Sequence, residues 1–254
     1  MEIKFLDKTN GTARFLLEEA DEVTANTMRR LILEEVPTLA VEDCTIHKND
    51  SALYDEMIAQ RLGLIPLKTD LKSYVLPENC KCKGEGCARC QLNLSLKVKG
   101  PCIVYSGEIK SQDPKVTPVY DKIPIVKLLK GQKLEVDMVA TLGKGKVHSK
   151  WSPALAYYRY YPEIKLSNVK DAEKAKNICP KHVFEVKGSK LEIKDLEACD
   201  LCMLCTEYGV EVKGNPKNIL FFLEPWGQLK EKEILTEALE ILNEKLKDLD
   251  KGIS

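Results

Sequence analysis

The cysteines are the residues of this sequence whose types and spacing point most directly to chemistry. Four of the ten lie in the segment ENCKCKGEGCARC with the pattern C-x-C-x4-C-x2-C, namely Cys80, Cys82, Cys87 and Cys90. Four thiolates satisfy the tetrahedral preference of structural zinc and leave no position open for a reacting water. The charged residues and glycines between them cannot bury enough surface to fix a shape, so metal binding would supply the folding energy. We predict a structural zinc site in loop 80–90, with an iron-bound or metal-free loop as the alternatives.

A second set of cysteines has a different spacing. Three lie in CDLCMLC as C-x2-C-x2-C and a fourth precedes a proline, namely Cys199, Cys202, Cys205 and Cys179. These pieces resemble a bacterial-type ferredoxin, in which the cysteine before proline in one run binds the cluster held by three close cysteines of another. The resemblance implies one 4Fe-4S cluster bound by all four. A complete motif would have a further Cys-Pro at Gly209-Val210, so a second cluster is not predicted. The alternative is a second zinc site.

The rest of the sequence carries no recognisable catalytic pattern. Cys44 and Cys102 stand among alternating apolar residues and are interpreted as small buried hydrophobes. The sequence has no G-x-G-x-x-G fingerprint, and GKGK at 143–146 is not a P-loop. Its three histidines are too scattered for a His-based triad or a zinc-protease helix. The chain is therefore expected to have no catalytic site of its own.

Composition restricts the compartment and the partners. Thirty-nine basic and 39 acidic residues give a formal net charge of zero, so no global positive field recruits nucleic acid. The first residues, MEIKFLDK, lack the apolar core of a secretory signal, and the longest apolar run, ILFFL, is strand-sized. These features predict a cytoplasmic protein, in which C-x2-C spacings indicate metal or redox chemistry rather than disulfides.

Periodicity predicts the elements that must position the cysteines. Two strands flank the hairpin signal Asn10-Gly11, and a helix is predicted from about residue 21 to 36. Residues 40–165 are rich in alternating strands. Beyond them, AEKAKN reads as a short helix and Gly188-Ser189 as the centre of a hairpin.

The end of the chain combines a buried strand, NILFFLEPWG, with a long helix. The leucines of this helix recur at spacings of four and three and form an apolar seam: Leu235, Leu239, Leu242, Leu246 and Leu249. An apolar seam of this length in water would favour aggregation, so we expect a similar helix to cover it.

Several segments outside the cysteines resemble a known family. Residues 25–67, ANTMRRLILEEVPTLAVEDCTIHKNDSALYDEMIAQRLGLIPL, are similar to the assembly region of the RNA polymerase subunits that include bacterial alpha and the third-largest subunit of eukaryotic RNA polymerase II. Further matches follow at 100–109, at 123–154 and in FFLEPWG with the final helix. Some archaeal members of this family carry a ferredoxin-like insert, and the sequence resembles this archaeal branch in particular.

The resemblance implies an α+β fold with three domains. A discontinuous α/β assembly (dimerisation) domain would comprise residues 1–40 and 215–254, with the two long helices packed together. A strand-rich domain, 41–165, would carry the zinc loop, and a small ferredoxin-like iron-sulfur domain would comprise 166–214.

The resemblance also implies a function in transcription. The chain would be a non-catalytic assembly subunit of archaeal DNA-directed RNA polymerase, a nucleotidyltransferase whose large subunits synthesise the RNA. It would form a heterodimer with subunit L, contact subunits N and P and the second-largest catalytic subunit, and reach DNA only through the holoenzyme. The expected interface residues are Met28, Arg29, Arg30, Leu31, Ile32, Leu235, Leu239, Leu242 and Leu246. The alternative for the apolar ones is the internal core, which would take roughly half of them.

Two other functions are weighed against this one. A ferredoxin-type electron-transfer protein would cycle electrons without a partner chain. A zinc-ribbon nucleic-acid binder would show salt-dependent DNA binding on its own. The missing redox-partner motifs and the zero net charge count against both.

Overall fold

A computed structural model describes residues 2–9 and 11–253 and gives a mixed α+β fold, as predicted. Its helices are α1 (Glu22–Glu34), α2 (Asp55–Gly63), α3 (Ala172–Ile178) and α4 (Glu231–Ile253). Its strands are β1 (Glu2–Thr9), β2 (Thr12–Glu18), β3 (Thr38–Asn49), β4 (Gln91–Lys99), β5 (Cys102–Tyr105), β6 (Lys110–Ser111), β7 (Pro124–Leu128), β8 (Lys133–Gly143), β9 (Ala154–Lys165), β10 (Phe184–Lys187), β11 (Lys190–Ile193) and β12 (Glu211–Pro225).

The chain divides into two compact units whose boundaries differ from those of the three expected domains. The first unit holds the residues through Arg29 together with Tyr157–Leu223, and the second holds Arg30–Ala156 together with the residues from Glu224 onward. Helix α4 therefore groups with the strand-rich part and not with the N-terminal strands. Pairings between distant segments decide this, such as the hydrogen bond of 2.9 Å from the Thr69 amide to the Gln228 carbonyl, and local periodicity cannot reveal them.

The first unit is built on a sheet with the strand order β1-β2-β12-β9. The predicted β1–β2 hairpin is confirmed, and Gly11 has a φ of +86°, which glycine adopts without steric cost. Asn10 lies outside the described residues. The buried run Ile219–Leu223 of β12 confirms the predicted buried strand. Strand β9 was expected in the strand-rich domain but pairs in this sheet, because alternation predicts a strand without indicating its neighbour.

A smaller part of the first unit carries the second cysteine set. The predicted short helix is confirmed as α3, which begins where the Asp171 side chain accepts a hydrogen bond of 3.0 Å from the Lys174 amide. The predicted hairpin is confirmed as β10–β11, with Gly188 at a φ of +65° in its turn. Apolar residues of both elements form one buried cluster with three of the four cysteines.

The second unit is built on an antiparallel sheet with the order β3-β8-β4-β6, beside the two-stranded sheet β5-β7. Alternate residues of β8 are buried, and α2 adds Ile58 and Leu62 to the same core. Cys44 and Cys102 pack against this core, as expected of small hydrophobes, but they are only partly buried.

Helix α1 begins after Asp21, whose carboxylate accepts a hydrogen bond of 2.8 Å from the Thr24 amide. Three residues expected at a partner interface, Met28, Leu31 and Ile32, are only 4%, 7% and 0% exposed. They are core residues of this chain and offer a partner almost no surface. The sequence could not separate the two roles, because both require the same apolar spacing.

The neighbouring arginines of α1 are more accessible. Arg29 is half-buried and donates to the Asn26 side chain at 3.1 Å, whereas Arg30 is exposed and pairs with Glu34 at 3.1 Å. Their expected role at a partner interface stays a prediction.

Helix α4 has a core face and a separate apolar face. Ile234 and Ala238 are buried, and successive residues on a helix point roughly 100° apart, so Leu235 and Leu239 lie beside the core face. The far end of the seam is open, with Leu246, Leu249 and Ile253 exposed by 53%, 59% and 78%. No described helix is long and apolar enough to cross a membrane.

A buried carboxylate, Glu35, ties α4 to the rest of the second unit. Its two oxygens accept from Lys245 at 2.8 Å and from Lys144 at 3.3 Å. Burial by itself would raise the pKa of Glu35, but the hydrogen bonds from the two lysines outweigh it and hold this pKa below its usual value. The carboxylate therefore stabilises the fold in its charged form.

We expect Glu35→Gln to lower the free energy of unfolding by about 1–2 kcal/mol at pH 7, since two charge-assisted hydrogen bonds weaken. A depressed pKa gives stability that is present above the ordinary carboxyl pKa of about 4.3 and is lost as pH falls through the folded value. The difference between Glu35→Gln and wild type in urea titrations should therefore shrink between about pH 5 and about pH 3. The matched control is Glu34→Gln, which removes the same charge from an exposed pair and should cost less than about 0.5 kcal/mol. Equal losses in the two variants would contradict the role of Glu35.

Candidate metal centres

The cysteines of loop 80–90 form one compact group. Their four Sγ atoms lie within 4.8 Å of one another. The Sγ of Cys82 lies 3.4 Å from that of Cys80 and 3.5 Å from that of Cys90, and the Sγ of Cys87 lies 3.5 Å from Cys80 and 3.8 Å from Cys90. Sulfur atoms bound tetrahedrally to one zinc ion would be about 3.8 Å apart. The spacing therefore fits a single ion surrounded by four thiolates.

Short backbone turns fix the two ends of this loop within the second unit. A 3-10 turn, Pro77–Asn79, ends directly before Cys80, and β4 begins directly after Cys90. The Val75 amide donates to the Arg89 carbonyl at 2.9 Å and closes the loop at its base. Gly86 has a φ of +91°, and a Cβ there would lie 2.4 Å from the side-chain oxygen of Gln91. The Gln91 side chain could move away, so it is the left-handed φ that favours glycine where the chain turns around the sulfurs.

The thiols of the loop differ in how readily they ionise. Hydrogen bonding with the side chains of Cys80 and Cys90 lowers the pKa of Cys82 to about 6. Burial raises the pKa of Cys90 to about 12. Four adjacent thiolates would repel one another, and a divalent cation relieves this repulsion because it binds all four in their ionised form. The donor set therefore fits a metal ion in place of the protons.

The structure also brings the second cysteine set together, within the first unit. Cys179 ends α3, Cys199 follows the 3-10 turn Leu196–Ala198, and Cys205 lies in the 3-10 segment Leu204–Tyr208. These three are buried in the apolar cluster, whereas Cys202 is exposed in the loop between them. An apolar enclosure with one exposed corner is consistent with a site for an inorganic group.

The cysteine loop winds through unusual backbone conformations. Leu201 and Met203 have φ values of 61° and 64°, and Gly209 has a φ of 84° after the last cysteine. Left-handed backbone at non-glycine residues is uncommon and often marks a functional site. A Cβ on Gly209 would lie 2.0 Å from the Asn168 carbonyl oxygen, so this turn requires glycine.

The spacing of this set differs from that of a single-ion site. In the part of the chain that the structure describes, no three of these thiols bring their sulfurs within 4.8 Å of one another. A 4Fe-4S cube needs wider spacing, because each thiolate binds a different iron.

The thiols of this set nevertheless influence one another electrostatically. Burial, and then the negative charges of Cys199, Cys179 and Cys202, raise the pKa of Cys205 to about 11. Burial also raises the pKa of Cys199, with Asp200, Cys179 and Cys202 acting in the same direction. The donor set therefore fits a cluster larger than one ion.

One residue near this set was not singled out from the sequence. Arg159 on β9 donates from Nη2 to the Glu197 carbonyl oxygen at 2.5 Å, at the start of the cysteine loop. The surrounding YYRYY segment contains no cysteine and follows an ordinary strand pattern, so nothing in it indicated a site.

Comparison with known proteins gives consistent matches along the chain. Residues 44–155 match the family described as the RNA polymerase Rpb3/RpoA insert domain. A relative from Methanosphaera stadtmanae is 40% identical, and the match covers 96% of this chain and 96% of the relative. A relative from Archaeoglobus fulgidus is 38% identical, with 99% of this chain and 97% of the relative covered. A relative from Pyrococcus horikoshii is 39% identical, with 96% of this chain and 95% of the relative covered. All three are named DNA-directed RNA polymerase subunit Rpo3.

Proposed function

This chain belongs to the Rpo3 family of DNA-directed RNA polymerase subunits, and we propose that it is the non-catalytic assembly subunit that pairs with an L-type subunit. The pair would form the platform on which the large catalytic subunits assemble. The observation that carries the proposal is similarity over nearly the whole chain. Similarity to a ferredoxin-type electron-transfer protein would be confined to residues 166–214, so that alternative is not supported.

The apolar face of α4 supports the pairing. From Leu235 to Ile253 it runs about 27 Å along the helix and ends in side chains more than half exposed. Exposed apolar stripes on soluble proteins mark interaction sites, and a second amphipathic helix is the partner whose shape fits a stripe of this width. The seam residues Leu235, Leu239, Leu242 and Leu246 are therefore the proposed contact set.

Further contacts in the assembly belong to the same proposal. Arg30 is exposed and Arg29 half-buried on α1, and both would contact other subunits. Subunits N and P and the second-largest catalytic subunit are the proposed partners there. DNA would be reached only through the holoenzyme, in the archaeal cytoplasm.

The two cysteine sets are proposed to hold different metals. The 3.4–3.8 Å sulfur spacing of Cys80, Cys82, Cys87 and Cys90 supports one structural zinc ion. The wider arrangement of Cys179, Cys199, Cys202 and Cys205 supports one 4Fe-4S cluster. The zinc ion, when bound, would supply folding energy to a loop that has little core of its own.

Anaerobic co-expression with an archaeal L subunit tests the proposal. We expect a one-to-one complex that carries about four iron atoms, four sulfides and one zinc per chain. The chain expressed alone serves as the comparison, and its exposed seam should make it self-associate.

The three parts of the proposal fail separately. A monodisperse chain that does not bind L would contradict the pairing. Two zinc ions and no sulfide would contradict the cluster while leaving the pairing intact. A zinc content of zero in a folded complex would contradict the zinc site.

A further inference from the structure

The guanidinium of Arg159 is fixed at the start of the cysteine loop that holds the second set. Its Nη2 donates to the Glu197 carbonyl, two residues before Cys199. Its Cζ lies 5.0 Å from the centre of the Phe222 ring on β12, so the group also packs against an aromatic side chain. Strand β9 and the loop are thereby joined within the first unit.

One hydrogen-bond donor of the guanidinium group is unused. The Nε of Arg159 is buried and has no hydrogen-bond partner among the residues that the structure describes. Unpaired buried donors are rare and costly, and an unplaced group is one of the explanations for them. A thiolate or an inorganic sulfide would be an acceptor for this N–H.

The charges around the guanidinium are also consistent with a negatively charged group beside it. Burial lowers the pKa of Arg159, while the negative charges of Asp200 and the Cys199 thiolate oppose that effect. Tyr157 also raises the pKa of Arg159, whereas the positive charge of Arg14 lowers it. Arg14 is itself paired with Asp7 and lies 3.5 Å from a Glu197 carboxylate oxygen, so its charge is already compensated. Arg159 has no carboxylate in ion-pair contact within the described residues.

We propose that Arg159 is a positioning residue of the iron-sulfur site, which holds the cysteine loop through Glu197 and compensates the negative charge of the thiolate-bound cluster. This inference rests on the proposed 4Fe-4S cluster. It assigns to β9 a role in the metal site, although β9 contributes no ligand.

Charge compensation has a measurable consequence for reduction. Reduction of the cluster by dithionite adds one electron and neither forms nor breaks a bond, so the site becomes more negative by one charge. A buried positive charge nearby favours the reduced form. We expect Arg159→Gln to shift the reduction equilibrium about tenfold toward the oxidised form, which lowers the midpoint potential by about 59 mV for one electron.

The experiment is a potentiometric titration of the full chain purified anaerobically, with dithionite as reductant and the visible and electron paramagnetic resonance signals as readouts. Arg159→Lys keeps the charge and should retain most of the wild-type potential. The matched control is Lys187→Gln, which removes an exposed positive charge paired with Glu185 and Glu192 in the same unit and should leave the potential unchanged.

The outcomes separate this inference from the cluster itself. Wild type without iron and sulfide would contradict the cluster, and the inference with it. A loaded Arg159→Gln variant with the wild-type potential would overturn charge compensation alone, as would an Arg159→Lys variant that shifts as far as Arg159→Gln. Loss of the cluster from both variants, with wild type loaded, would overturn charge compensation and support only the hold of Arg159 on the cysteine loop.

Discussion

Replacement of both Leu239 and Leu242 by aspartate is expected to abolish pairing with the L-type subunit. Each leucine is only partly buried within the chain, and the remainder of its side chain is accessible on the apolar face of α4. Burial of a leucine at an interface contributes about 1.5–3 kcal/mol, and the substituted carboxylates would also have to lose water. The affinity should therefore fall by at least about a hundredfold.

Co-purification and analytical ultracentrifugation of the two chains would measure this loss. The matched control is Thr236→Asp with Asn243→Asp, which adds the same two charges to positions on another side of the same helix. This control should pair like wild type. Normal pairing by the Leu239→Asp, Leu242→Asp variant, with its helix content intact, would show that the partner binds elsewhere.

Removal of one thiolate from the zinc loop should have the second large effect. We expect Cys90→Ser to release the zinc and to disorder the loop, because Cys90 is buried directly before β4 and its sulfur contacts those of both Cys82 and Cys87. Structural zinc contributes about 10 kcal/mol to small modules, and loss of one of four ligands forfeits most of that contribution. The core of the second unit lies outside the loop, so the rest of the sheet should stay folded.

Zinc analysis and limited trypsin digestion would test this prediction. Cleavage at Lys81, Lys83 and Arg89 should become rapid in Cys90→Ser and in wild type treated with a chelator. Cys102→Ser, which changes a cysteine outside both sets, should keep its zinc and its resistance. A Cys90→Ser variant that retains one zinc and wild-type resistance would contradict the assignment.

The cysteine motifs show how much the sequence alone determined. The spacing of Cys80, Cys82, Cys87 and Cys90 within 11 residues predicts a shared site, since a short loop can bring its own thiols together, and the structure confirms the group. The same reasoning predicted the hairpins at Gly11 and Gly188 and the helices α1, α3 and α4, all of which depend on residues close in the sequence, whereas α2 was not predicted. The sequence also determined the family, because residue identities match along nearly the whole chain.

Only the tertiary structure decided which of these elements meet. Helix spacing could not tell that Met28 and Ile32 are buried while Leu246 is open, because a core face and a partner face have the same period. Strand alternation could not place β9 beside β12, or Arg159 beside the loop that holds Cys199. The ties of Glu35 to Lys144 and Lys245 likewise join distant segments. Such contacts depend on how whole sheets and helices pack, and that is a property of the complete chain that no short stretch of sequence carries.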